Sequence, residues 1–179
     1  MKIKELTLYT SKLKEVESFY TDLLGIELLD SSQDSIKLKV GETNLIFEHS
    51  EQSMYYHFAI NIPSYQIGDA LNWIKSKTKV LPFHGDEIVD FKSWNAEALY
   101  FYDPAGNIVE LIARKNLKIP SADNFDASSF QHISEIGLPV TDVKSSFNEL
   151  KECGLSKFSG DYERFCAIGW ETGLFITID

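Results

Sequence analysis

Apolar and polar residues alternate along residues 3–10, which is the pattern of a strand with one buried face. Apolar residues then recur at helical spacing up to Leu24, and Gly25 stands where a helix would end. Three strand-like runs follow, at 26–30, 35–40 and 43–49. The pattern therefore predicts a strand, a helix and three further strands.

The same order of elements begins again twice. A strand over 55–62 leads into a helix near 65–77, and strand-like runs follow near 85–92, 97–103 and 107–114. After a polar connector at 116–131, a third start gives a strand over 133–140, a helix near 142–152 and strands near 156–160, 165–170 and 173–178. A shift of 52 residues superposes the first unit on the second. This shift sets Glu5 opposite His57, and Glu135 falls in the same register of the third unit.

Composition narrows the possible functions only broadly. A chain of 179 residues with 44% hydrophobic residues can bury a sizeable core. A formal net charge of −10 argues against nucleic acid and anionic membrane surfaces as partners. No apolar run reaches membrane-spanning length, the N-terminus does not look like a signal peptide, and two cysteines do not suggest a disulfide framework, so we expect a cytoplasmic location.

The segment 100–112 carries the first candidate for chemistry. It predicts a strand, a tight Asp-Pro-x-Gly-Asn turn and a second strand, because Pro104 presets φ and either Gly106 or Asn107 can take a positive φ. Alternation places Glu110 on one face with two isoleucines. A carboxylate in such surroundings is costly to bury unless it is paired or bound to a metal.

The repeated βαβββ order, the helix end Phe19-Tyr20-x-x-Leu23-Leu24-Gly25 and the stretch from Phe101 to Glu110 resemble the vicinal oxygen chelate superfamily. That superfamily includes glyoxalase I, extradiol dioxygenases and bleomycin-binding resistance proteins. The resemblance implies an α+β fold in which paired units curl a mixed β-sheet into a cup, with helices on the outer face. It implies a paired domain over 1–115, made of units 1–52 and 53–115, and a third partial unit over 132–179.

In that superfamily a divalent metal lies at the base of the cup, held by residues of the first and last strands of each unit. Carried over by position, the ligands are Glu5, His57 and Glu110, with Glu48 and His49 near the last-strand position of the first unit. One His and two carboxylates suit Mn, Fe, Co, Ni or Zn ions. The family often has His where this chain has Glu5, so a metal-free protein remains the alternative.

This interpretation also predicts the roles of several residues outside the metal site. We expect Asn61, Tyr100 and Tyr102 to contact a substrate and Trp94 to cover the mouth of the cup. We expect Arg114 to be a surface residue at a strand end, with binding of an anionic substrate as the alternative. Glu135 is not expected to be a ligand, because the third unit has no fourth unit to pair with. That odd unit instead suggests a homodimer formed through it, with a cover over the main cup as the alternative.

Three functions follow from the resemblance. The first is a metal-dependent lyase, isomerase or transferase acting on a small molecule chelated through neighbouring oxygens, with Glu110 or Glu5 as the base. The second is a metal-free protein that sequesters an aromatic or cationic molecule, as the bleomycin-resistance type does. The third is a dioxygenase, which two carboxylates and a single His disfavour.

Overall fold

The first repeat unit forms a four-stranded sheet with one helical segment. The computed structural model describes residues 1–52 and 54–179, so residue 53, where we expected the second unit to begin, lies outside the described residues. Helix α1 (Leu13–Ser18) continues as a π-helical turn (Phe19–Leu23). The strands are β1 (Glu5–Thr10), β2 (Glu27–Ser31), β3 (Ser35–Val40) and β4 (Thr43–His49).

The other two units repeat this order with small differences. The second comprises β5 (His57–Ile62), α2 (Ile67–Lys75), β6 (Val80–Leu81), β7 (Val89–Phe91), β8 (Ala96–Tyr102) and β9 (Ile108–Arg114). The third comprises β10 (His132–Pro139), α3 (Val143–Glu152), β11 (Lys157–Gly160), β12 (Phe165–Trp170) and β13 (Gly173–Ile178). The strand expected near 85–92 is replaced by the two short strands β6 and β7, which both pair with β8. The predicted α+β fold of βαβββ units is confirmed.

The pairing of the units differs from the expected one. The first unit keeps its own sheet, in the order β1-β4-β3-β2. The second and third units share a nine-stranded sheet, whose main path runs β11-β12-β13-β10-β5-β9-β8-β6. They join through their first strands, β5 and β10, which pair antiparallel. The prediction that units 1–52 and 53–115 form one cup is therefore wrong, because the second unit pairs with the third.

Burial of apolar faces explains this arrangement. The inner faces of the first sheet, α1, α2 and the helix-bearing face of the second unit contribute to a single core. Phe19 at the end of α1 packs against Phe101 of β8, with ring centroids 6.2 Å apart. The first two units thus pack with their helix-bearing faces together, which leaves the edge of β5 available for another strand. Helix α3 covers a separate small core that includes Val143, Cys166 and Ile168.

This pairing removes the reason for which we expected a homodimer through the third unit. The open edge of β10 is filled by β5 and β13 of the same chain. The dimer stays a prediction without that support. None of the helices in the described ranges is long and apolar enough to span a membrane.

A buried hydrogen bond fastens the first unit to the Asp-Pro-x-Gly-Asn turn of the second. The Tyr20 hydroxyl donates to Asp103 Oδ2 at 3.0 Å, and Asn107 donates to the same carboxylate from its side chain at 2.8 Å. Burial raises the pKa of Asp103, while its hydrogen bonds to Asn107 and Tyr20 oppose that rise. The hydrogen bond from Tyr20 therefore stabilises a carboxylate that has lost most of its contact with water.

Replacing Tyr20 by Phe tests this link. We expect Tyr20→Phe to lower the free energy of unfolding by about 1–2 kcal/mol, because a buried acceptor loses one of its donors. Urea denaturation monitored by tryptophan fluorescence measures the change. Tyr65→Phe is the matched control, because Tyr65 is 68% exposed. A Tyr20→Phe protein as stable as the parent would contradict the assignment.

Candidate metal centre

The Asp-Pro-x-Gly-Asn turn aligns the strand that carries Glu110. Gly106 takes the positive φ of the turn, at 89°. Asp103 Oδ1 accepts from the backbone N–H of Asn107 at 3.0 Å, and Asn107 Oδ1 accepts from the backbone N–H of Tyr56 at 2.9 Å. The turn is thereby tied both to itself and to the segment that enters β5, so that β9 runs parallel to β5 in a fixed register.

That register brings two of the predicted ligands together. His57 pairs with Ile108 and Ala59 pairs with Glu110, so that Glu110 lies two residues further along the paired strands than His57. The His57 Nε2 and Glu110 Oε2 atoms are 3.2 Å apart. Glu110 is only 3% exposed, whereas the His57 side chain keeps 28% of its surface accessible. The imidazole therefore forms the accessible side of this pair.

The third member of the cluster is Glu135, which comes from the third unit. It lies opposite Ala59 where β10 pairs with β5 and is 2% exposed. One nitrogen of His57 and one oxygen each of Glu110 and Glu135 lie within 4.8 Å of one another. Their spacing and chemistry suit a divalent ion, since one imidazole and two carboxylates are common ligands of hard and borderline metals. We did not expect Glu135 near the metal site, and this placement makes it a candidate ligand.

Glu5 does not join the cluster. It lies on β1 of the other sheet and accepts a hydrogen bond from Lys37 Nζ at 3.0 Å, with 52% of its side chain exposed. In the first unit, Ile46 stands opposite Thr7, which is the register position that Glu110 holds opposite Ala59. Neither Glu48 nor His49 occupies that position. The first unit thus supplies no equivalent of the pair formed by His57 and Glu110, and the proposed roles of Glu5 as ligand and base are not supported.

The same register argument identifies the last-strand position of the third unit, where a fourth metal ligand could stand. Gly137 pairs with Ile176 in the third unit, as Ala59 pairs with Glu110 in the second. Ile176 therefore stands where a fourth carboxylate would stand if the third unit repeated the second. The centre thus has three candidate ligands and an apolar residue at the fourth position.

Arg114 is the functional residue that sequence reasoning placed wrongly. It is fully buried, and its Nη2 atom donates to Glu135 Oε1. Its guanidinium carbon lies 5.3 Å from the ring centroid of Trp94 and 5.9 Å from that of Phe158. Among the described residues, its Nε and Nη1 atoms have no hydrogen-bond partner. A strand-end Arg was expected at the surface, but the third unit, which contributes Phe158 and Glu135, encloses it.

The charged residues of the cluster shift one another's pKa values. Burial would lower the pKa of His57, but its hydrogen bond to Glu110 and the charge of that residue leave it raised. Burial, followed by the charge of Glu110, raises the pKa of Glu135, while Arg114 and His57 oppose the rise. Burial and the charge of Glu110 also raise the pKa of Tyr100, which faces Glu110 across β8 and β9 and stays a neutral phenol. The two carboxylates are thus balanced by Arg114 and, when it is protonated, by His57.

Two cavities open beside His57 and share His57, Tyr102 and Ile108. The smaller has a volume of about 460 Å³, and its other lining residues include Leu81, Phe83, Phe91 and Tyr100. The larger has a volume of about 1070 Å³, and its other lining residues include Tyr55, Tyr56, Leu138 and Ile176. We call them the small lobe and the large lobe.

The expected substrate contacts divide into two groups. Tyr100 and Tyr102 line the lobes, as a contact role requires. Asn61 is buried and used internally, since its amide donates to the backbone oxygen of Glu171 at 3.0 Å and its oxygen accepts from Ser134 at 3.0 Å. Trp94 stacks on Phe91 and covers Arg114 rather than the mouth of the cup. The predicted contact roles of Asn61 and Trp94 are therefore not supported.

Solved structures share this architecture. A proposed dioxygenase from Bacillus subtilis aligns over 99% of this chain with a TM-score of 0.72 and 14% identity, and this chain covers 63% of its length. A lactoylglutathione lyase from Agrobacterium tumefaciens aligns over 61% of this chain and 90% of its own, with a TM-score of 0.53 and 20% identity. A glyoxalase/bleomycin resistance protein/dioxygenase from Alicyclobacillus acidocaldarius aligns over 63% of this chain and 91% of its own, with a TM-score of 0.51 and 24% identity.

These similarities establish the fold. The chain has the fold of the glyoxalase/bleomycin resistance/dioxygenase proteins, which is the fold that the resemblance to the vicinal oxygen chelate superfamily implied. No protein-family model and no curated protein matches the sequence. The reaction that the protein catalyses, if any, therefore has to be inferred from the residues of the site.

The buried pair of Arg114 and Glu135 makes a prediction about stability. Arg114→Met leaves a buried carboxylate without its cation, and we expect the metal-free protein to lose about 3–5 kcal/mol of unfolding free energy. The double variant Arg114→Met, Glu135→Gln removes both charges, and we expect it to recover most of that loss. Chemical denaturation in the presence of a chelator measures all three proteins.

A matched control is available on the other sheet. Lys37→Met breaks an ion pair of the same charge type at an exposed position, where the cost is about 1 kcal/mol or less. If Arg114→Met costs no more than Lys37→Met, Arg114 does not stabilise the buried carboxylate of Glu135.

Proposed function

We propose that this protein is a divalent-metal-dependent enzyme of the lyase, isomerase or transferase type, acting on a small molecule that presents two neighbouring oxygens. The observation that carries the proposal is the convergence of His57, Glu110 and Glu135 at the base of the shared sheet, with His57 open to two cavities. The similarity to a lactoylglutathione lyase and a proposed dioxygenase supports the superfamily and leaves the reaction open.

The donor set fits such an ion. Two carboxylates buried to 2–3% exposure are costly without compensating charge, and Arg114 is the only guanidinium that the described residues bring to them. A bound divalent ion would supply Lewis acidity toward the oxygens of a substrate. His57, Glu110 and Glu135 would hold it, and the apolar side at Ile176 would leave room for the substrate.

The protein residues supply the remaining chemistry. We assign the role of base to Glu110, whose Oε2 atom lies 3.2 Å from Nε2 of His57, the ring that lines both cavities. Tyr100 stays protonated and faces the same carboxylate, so it can donate a hydrogen bond to an oxygen that gains charge. Arg114 holds Glu135 in place and limits the negative charge of the centre.

A second function is favoured by a specific observation. Each carboxylate already has a basic partner, Arg114 for Glu135 and His57 for Glu110, so the cluster is electrostatically balanced without an ion. A protein built in this way could bind a small molecule in its lobes without catalysis. Retention of metal separates the two functions.

Metal content and binding provide the test. We expect protein purified without chelators or a metal-affinity tag to hold about one equivalent of a transition metal by inductively coupled plasma mass spectrometry. Glu110→Gln and Glu135→Gln should each reduce affinity by at least about tenfold in titration calorimetry with Mn²⁺, because each removes a charged ligand.

Glu5→Gln is the matched control, because it neutralises a carboxylate that occupies the same position in its own unit but lies on the other sheet. Its affinity for Mn²⁺ should equal that of the parent. Protein that stays empty after incubation with Mn²⁺, Ni²⁺, Zn²⁺ and Fe²⁺ would support the metal-free binding protein instead. Loss of binding in Glu5→Gln with retention in Glu135→Gln would overturn the ligand set.

A further inference from the structure

The two lobes are much less polar than the cluster of His57, Glu110 and Glu135 beside them. The described residues that line them are aromatic, aliphatic, Met, Pro or Gly, apart from the single imidazole of His57. Six aromatic side chains other than His57 face the two cavities: Tyr55, Tyr56, Phe83, Phe91, Tyr100 and Tyr102. No Lys or Arg is among these described lining residues. The lobes therefore offer apolar surface and ring faces, and no fixed positive charge.

The lobes also offer little to an anionic group that lies away from the centre. Glu110 and Glu135 lie behind His57 and are not among the described lining residues, and the guanidinium of Arg114 is fully buried and already paired with Glu135. A carboxylate or phosphonate in the lobes would lose its hydration, and His57 is the one basic side chain among the described lining residues. Because the head group of the ligand occupies that imidazole, the anion would gain no basic partner of its own.

The neutral, apolar part of a ligand gains binding free energy in the same surroundings. Each apolar group that leaves water for the lobes contributes roughly 25 cal/mol per Å² buried, and aromatic rings can stack on the lining tyrosines. Cavities of about 460 Å³ and 1070 Å³ are of the size that accommodates small organic molecules. Both meet at His57, so a polar head placed there leaves the body of the ligand in the apolar space.

We propose that the site takes a neutral, predominantly apolar small molecule, with its oxygen-bearing head against His57 and its apolar body in the lobes, and that it discriminates against anionic analogues. This inference rests on the proposed function for the nature of the head group. The preference for a neutral body rests on the lobes alone. The two parts can therefore fail separately.

Three probes separate these parts. 4-tert-Butylbenzohydroxamic acid carries two neighbouring oxygens and a neutral apolar body, and 4-carboxybenzohydroxamic acid replaces the body by an anion. 4-tert-Butylbenzamide keeps the apolar body and lacks the second oxygen. Dissociation constants are measured by titration calorimetry on the full chain, once with Mn²⁺ and once with a chelator. We expect the butyl hydroxamate to bind at least about tenfold more tightly than the carboxylated one.

A charge added to the lobes should change this preference. Tyr102 lines both lobes and is 50% exposed, so Tyr102→Arg introduces a cation without breaking the core. We expect this variant to bind the carboxylated probe more tightly and to reduce the preference by about tenfold. Tyr65→Arg is the control, because Tyr65 is 68% exposed and does not line either lobe. Its preference should equal that of the parent.

The outcomes discriminate as follows. If the parent binds the carboxylated probe as tightly as the butyl probe, or binds neither hydroxamate below about 1 mM, the inference is overturned. An equal change in Tyr65→Arg and Tyr102→Arg would also overturn it, because the preference would then not arise in the lobes. If the preference persists with a chelator, and the benzamide binds as well as the butyl hydroxamate, the inference stands and the metal-dependent function fails.

Discussion

The antiparallel pairing of β5 with β10 is the contact on which the candidate site depends. It joins two units through their first strands and sets Glu135 of β10 opposite Ala59 of β5. Ala59 lies two residues after His57 on β5. A register shift lies between Ile133 and Glu135, and such irregularities bend a strand and turn its side chains. Without this pairing, His57 and Glu110 would stand on an open sheet, and Glu135 and Arg114 would have no common environment. The buried cluster of charged residues therefore depends on this one strand pairing.

Burying two carboxylates side by side is the second constraint, and the chain meets it with residues from both units. Arg114 and His57, on β9 and β5, balance Glu135 and Glu110. Trp94 from the second unit and Phe158 from the third enclose the guanidinium, where aromatic faces favour a cation and exclude water. Arg114 also makes the cluster tolerable in the absence of a metal. The same residue therefore lowers the cost of burying Glu135 and leaves His57 as the accessible member of the cluster.

The sequence predicted those parts of the fold that depend on local patterns. The order of the units and the Asp-Pro-x-Gly-Asn turn follow from strand alternation and turn chemistry. The convergence of His57 with Glu110 was implied by the resemblance to the vicinal oxygen chelate superfamily, and the parallel register of β5 and β9 brings the two together. The choice of partner for β5 is a contact between distant segments, and periodicity does not contain it. For this reason Glu5 was preferred to Glu135, although the two share a register. Arg114 was misplaced for the same reason, because its enclosure requires the third unit.

The three units diverge at the positions where ligands would stand, and this divergence decides how the site can be used. The second unit has His57 and Glu110, the third has Glu135 and Ile176, and the first has Glu5 and Ile46. Only the second unit therefore supplies a donor from both its first and its last strand. Because Ile176 also lines the large lobe, the side of the centre that lacks a protein donor is the side that faces the apolar cavity. A ligand entering through that lobe would meet the centre where no side chain competes for it, which links the loss of a fourth carboxylate to the apolar character of the entrance.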